Sequence, residues 1–168
     1  MDSRLEELKD ALLSAVEGMS SEQLRRHAPG KWCAGEILEH LDLTYTGTIK
    51  GFEKVLAAGK PLATRPNVRQ HLRRFVVVGL GHMPEGRKAP AYTVPKGLPP
   101  ESVRDELGGR IAAMDAVITQ CESRFGGDVR LLDHPILGPL TGAQWRKFHF
   151  VHAMHHRRQL MRLKGAME

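Results

Sequence analysis

Leu5, Leu8, Leu12 and Val16 recur three or four positions apart, and three longer stretches of the chain repeat that spacing. Apolar residues so spaced fall on one side of a helix, because each residue turns the chain by about 100°. Residues 3–18 predict the first helix. The second runs from about Cys33 to Ala58, with Ile37, Leu38, Leu41, Ile49, Phe52 and Val55 as its apolar positions. "PPESVRDELGGRIAAMDAVITQCESRF" predicts the third, with Val103, Leu107, Ile111, Met114 and Ile118 along one side. Its Gly108–Gly109 pair weakens it locally or admits a close neighbour. Residues 141–164 make the fourth. Four long amphipathic helices predict an all-α protein, a four-helix bundle, in a single domain spanning residues 1–168.

The connections are uneven. "SSEQ" caps a short turn after the first helix. Residues 60–68 read as loop. "RQHLRRFVVVGLG" carries two signals: three consecutive valines favour strand, while Leu72, Phe75 and Val76 favour helix. From Gly79 to Pro100 glycine and proline punctuate an ordered loop, long enough to carry function. "GGDVRLLDHPILGPLTG" reads as loop too. "VVVGLGHMPEG" looks like a strand leading into a dinucleotide fingerprint, but Pro84 stands where the third glycine is required, so nucleotide binding is not expected.

Charge concentrates in one segment. The net charge is +6, and residues 60–98 hold eight lysines and arginines against Glu85 alone. The remainder carries seventeen against eighteen acidic residues. This basic connecting segment is either a solvated link or a rim that attracts an anionic ligand. Phe75 and Tyr92 are too few for a nucleic-acid stacking surface, so only salt-sensitive attraction without sequence preference is expected. No apolar run approaches the ~20 residues of a membrane span. "MDSRLEELKDALLSAVEGM" is acidic and amphipathic, unlike a secretory leader. Cys33 and Cys121 form no CxxC pair. Together these features predict a cytoplasmic protein.

Nine histidines occur, four of them at 149, 152, 155 and 156. His152 and His156 lie ~40° apart on one helix face, with Gln159 on the same side. Such an i, i+4 pair can present two imidazoles to one divalent ion. Two ligands make a poor site, and His40 on the second helix is the candidate third. Cys33, Glu36, His40 and Thr44 share a face of that helix. Spacing alone leaves a surface or core-edge pair open beside a metal site.

Two motifs add a resemblance. "GKWCAGEILEHL" is similar to the W-S-x-x-E-x-x-x-H of the DinB-like superfamily of bacterial four-helix-bundle metalloproteins. "HAMHHRRQL" is similar to its H-x-x-x-H-R-x-Q-[IL] on the fourth helix. "HPILGPLTGAQWRKFHFVHAMHH" resembles a subgroup whose last helix follows an HP-x-x-G-x-L loop. Cys33 stands where serine is usual, and Arg158 replaces a common glycine.

The resemblance implies one divalent ion per chain, zinc or nickel, held by His40, His152 and His156. It implies an up-down-down-up helix order, with residues 60–98 as the long connection between the second and third helices. Some members are transferases that use a low-molecular-weight bacterial thiol, and relatives include thiol-dependent isomerases. Three neutral imidazoles leave a coordination position open, able to hold a thiolate or to activate a water. Each ligand ring needs its other nitrogen fixed, and Glu36, Gln159 and Thr44 are within sequence reach. Glu36, one turn from His40, is the best such partner or a general base; its alternative role is a charge that favours the helix dipole. His149 could line the pocket, His155 faces outward or another helix, and Trp32 and Trp145 read as packing anchors. Three functions follow: a metal-dependent thiol transferase, a metal-dependent hydrolase, or a non-catalytic stress or binding protein. The expected partners are a small-molecule substrate and a second copy in a homodimer, with no specific nucleic acid and no membrane.

Overall fold

The first long stripe of leucines needs a start signal, and Asp2 provides it. Its carboxylate accepts from the Arg4 N–H at 3.0 Å, which satisfies one of the donors a helix N-terminus leaves unpaired. Helix α1 (Ser3–Val16) follows, with Leu5, Leu8, Leu12 and Val16 buried. The computed structural model describes every residue except Glu85, Arg87, Met167 and Glu168; those two charges of the basic segment therefore lie outside the described residues.

"SSEQ" caps more than a turn. Ser20 and Gln23 exchange side chain and backbone bonds, and a short helix α2 (Ser21–Arg25) results. Helix α3 (Ala34–Ala58) buries Ile37, Leu38, Leu41, Tyr45, Phe52 and Val55. It stops at Gly59, whose φ of +66° is left-handed, a conformation glycine adopts without penalty.

The ambiguous stretch resolves as helix. Asn67 and Gln70 cap α4 (Val68–Arg74), which runs on into a π-helical turn, Phe75–Gly79. Valine's strand preference loses here because Val77 and Val78 are buried against the core, and packing outweighs propensity. Among the described residues, 80–99 are irregular apart from one 3₁₀ turn, Ala91–Thr93.

Helix α5 (Pro100–Phe125) starts on a proline and buries Val103, Leu107, Ile111, Met114, Ile118 and Cys121. The segment expected to be plain loop before the last helix holds a small antiparallel pair, β1 (Leu132–His134) and β2 (Gly138–Leu140), with Leu132 opposite Leu140. Strands of three residues are too short for alternation to reveal them. Helix α6 (Gly142–Gly165) begins at a Thr141–Gln144 capping box.

The chain is thus mostly helical, with six helices and one two-stranded sheet among the described residues. Pair contacts give the helix directions. Asp42 meets Arg110 at 2.9 Å, Phe52 O accepts from Cys121 Sγ at 3.6 Å, and Leu56 O accepts from Arg124 at 3.1 Å. Rising numbers on both sides mean that α3 and α5 run the same way. Across α3 and α6 the numbers oppose: Phe52 packs on Trp145, Thr48 reaches His149, and His40 reaches His152. Gly51 lets β1 approach α3, since a Cβ there would stand 2.5 Å from the Leu132 side chain.

Candidate metal centre

His40 sits two turns into α3, and His152 and His156 sit one turn apart on the opposed α6. The antiparallel packing brings their rings together in the molecule's interior. His40 Nε2 is 3.3 Å from His152 Nε2, and His156 Nε2 is 3.1 Å from the same atom. All three donor atoms lie within 4.8 Å of one another, and the group could hold a metal ion. Metal–nitrogen bonds of 2.0–2.1 Å in tetrahedral geometry place ligand nitrogens about 3.3 Å apart. The two separations made by His152 match that requirement.

Proton accounting sharpens the fit. His40 Nδ1 donates to the Thr93 carbonyl at 2.8 Å. His156 Nδ1 donates to Gln159 Oε1 at 2.8 Å, while Gln159 Nε2 donates to His155 Nε2 at 3.2 Å. A neutral imidazole carries one hydrogen, so both Nε2 atoms present lone pairs. At most one hydrogen, on His152, stands among three nitrogens. His152 Nδ1 has no hydrogen-bond partner among the described residues. The cluster holds more acceptors than donors, which a cation corrects.

Burial keeps the rings neutral. It pushes His40 below the usual imidazole value, against the Thr93 bond, which raises it. His152 lies well below that value, through burial first and then its neighbours His156 and His40. His156 falls to about 3, again mainly through burial. Neutral imidazole is the form that binds metal. Two aromatic rings flank the site. Phe148 stacks on His152 with centroids 5.5 Å apart, and Trp32 lies 5.0 Å from His40. Trp32 also lines an open cavity of about 410 Å³ with His27, Lys31 and Glu36, which none of the three histidines lines. Trp145 packs on Phe52 and donates to Leu132 O.

The other expected site residues divide. Gln159 fixes His156, the role read for it. Glu36 is placed elsewhere: its Oε2 accepts from the Cys33 N–H at 2.9 Å and lies 3.5 Å from His27 Nδ1. It caps α3, while the Thr93 carbonyl takes the position behind His40. Thr44 donates to the His40 carbonyl, not to a ring. His149 is fully buried, with Nε2 3.0 Å from Thr48 Oγ1, and sits in the core beside Tyr45. His155 is buried rather than outward-facing and is met by Gln159. Cys33 and Cys121 are both free and buried, and burial raises the Cys33 thiol above its ordinary value. A second trio, His27, Cys33 and Glu36, also brings its donor atoms within 4.8 Å, but helix capping already accounts for Glu36 and Cys33.

Sequence reading missed Glu39 and Thr93. Glu39 is 1% exposed and accepts from three backbone amides, those of Lys96, Gly97 and Leu98, at 2.6, 3.0 and 3.1 Å. An acidic residue next to a candidate ligand was the available signal. No described helix is long and apolar enough to cross a membrane. No curated protein and no solved structure matches the chain. Residues 1–163 match the model of DUF1569, described as a protein of unknown function, and the chain belongs to that family.

Proposed function

We propose that this protein is a cytoplasmic, divalent-metal-dependent enzyme that transfers a low-molecular-weight thiol to a small electrophile. The observation that carries the reading is the convergence of three buried Nε2 atoms, two held as lone pairs by the acceptors behind their rings. We read the scaffold as a four-helix bundle of up-down-down-up order. The shared direction of α3 and α5, and their opposition to α6, support that order, with α2 and α4 as parts of the connections.

One zinc or nickel ion held by His40, His152 and His156 would supply Lewis-acid activation of a thiol or a water at an open coordination position. The chain's own residues do the rest. Thr93 and Gln159 orient two of the rings, and Trp32 and Phe148 wall the site with apolar surface. Neutral rings leave the ion its full charge, which favours a thiolate over a thiol.

The test begins with metal content of the purified protein, which should be one ion per chain. Conjugation assays with several bacterial thiols follow, beside ester, amide and phosphate hydrolysis panels. Metal-dependent loss of thiol supports the reading. Metal-dependent hydrolysis without thiol consumption would replace it with a hydrolase, and protein unable to bind zinc or nickel stoichiometrically would end it.

A further inference from the structure

Residues 90–98 touch α3 at two adjacent positions. Glu39 takes the amides of Lys96, Gly97 and Leu98 on its two carboxylate oxygens. His40, the next residue, donates through Nδ1 to the Thr93 carbonyl. The turn that leads into Thr93 is itself tied, since the Thr93 N–H and hydroxyl both bond to Pro90 O at 2.9 and 3.0 Å. A buried carboxylate is costly unless its oxygens are satisfied. Three successive amides satisfy this one, so Glu39 and the loop need each other.

We propose that Glu39 is a positioning residue for the metal centre: it clamps residues 96–98 onto α3 and thereby holds the Thr93 carbonyl behind His40. Loop closure and metal loading are then coupled. With the clamp closed, His40 is fixed in the tautomer and orientation that offer Nε2. With it open, His40 loses its acceptor and turns freely. Coupling of two equilibria is reciprocal, so metal should also close the loop. This inference rests on reading the triad as a metal site, and the experiment separates the two.

Zinc affinity of the full chain is measured by competition with a chromophoric chelator, and amide exchange is followed at residues 96–98 with and without zinc. Glu39→Gln should bind zinc roughly ten- to a hundredfold more weakly, the usual cost of losing an outer partner of a ligand. It should exchange faster at residues 96–98 and keep slow exchange in α5. In the wild type, zinc should slow exchange at residues 96–98, although none is a ligand. Gly97→Ala is the second variant, for the case in which Glu39→Gln does not fold. Gly97 has a φ of +87°, and a Cβ added there would meet nothing within 4 Å, so alanine strains the closed loop without disturbing the core. It should weaken zinc binding by a smaller factor. Faster exchange at 96–98 with unchanged zinc affinity, in whichever variant folds, would overturn the coupling and leave the metal reading intact. Wild-type protein that binds no zinc would overturn both.

Discussion

Helix α6 carries two buried polar clusters, and they are built on opposite principles. Near its start, Arg146 is 7% exposed. Its Nε donates to Asp115 at 2.6 Å, Nη1 to both Glu122 oxygens at 2.8 Å, and Nη2 to Thr119 at 2.9 Å. The other Asp115 oxygen accepts from the Asp2 N–H. The guanidinium finds two carboxylates and a hydroxyl within the protein. Further along, the Nε2 atoms of His40, His152 and His156 converge with at most one hydrogen among them. No carboxylate is in contact with the three converging nitrogens among the described residues. The first cluster is complete as folded and ties α6 to α5 and the N-terminus. The second has no such counter-group, and its three converging nitrogens could hold a metal ion.

The sharpest way to break this contrast is to remove one member of each cluster. His156→Ala should reduce bound metal from one ion per chain to nearly none, since two ligands hold an ion poorly. His155→Ala, which removes no ligand, should keep it. The apo form of His156→Ala should melt close to wild-type apo protein. Arg146→Ala should do the reverse. It strands two partly buried carboxylates and should cost about 3–5 kcal/mol in apo and loaded protein alike, with zinc affinity little changed. Equal destabilisation of the apo protein by both variants, measured by urea unfolding, would erase the distinction.

Chelation tests the contrast more gently. An ion present at a hundred times its dissociation constant adds about 2.7 kcal/mol to folding stability, roughly 5–10 °C of Tm for a domain of this size. The apo protein should keep its helical circular dichroism and melt cooperatively at the lower temperature, because a core with Leu8, Leu38, Phe52, Leu107 and Ile118 fully buried does not depend on the ion. Apo protein unfolded at neutral pH would mean that the histidine cluster is structural after all.

The last test is one of pH. Burial holds His156 and His149 at about 3 and His134 at about 4, while the unfolded chain titrates near 6.5. Between those values the unfolded state binds more protons, so stability rises with pH there. It should be fully present above about pH 6.5 and decline as the pH falls toward 4. A stability flat from pH 7 to 5 would show that these rings are not buried as neutral groups.

Much of this was legible in the sequence. The four long stripes marked the long helices almost to the residue, while the i, i+4 pair and His40 were candidates that only the family resemblance joined into one group. What was not legible depends on chain paths. The Thr93 carbonyl reaches His40 across 53 residues, through a segment with no periodicity to place it. Glu36 carried two readings, and the structure seats it in the first turn of α3, where a carboxylate at the third helical position bonds its own N-cap. The Phe75–Gly79 turn was misleading in another way: three valines carry a strand signal that only their buried neighbours override.

The dispersal of the site along the chain also sets when an ion can first be held. Its three donors come from residues 40, 152 and 156, and the acceptors that orient them from 93 and 159. A chain growing from its N-terminus has one imidazole of the three in place until α6 is made and docked against α3. An ion held there could therefore not template the early steps of folding, as one does in domains whose ligands lie close in sequence. Its uptake would report that the last helix has arrived.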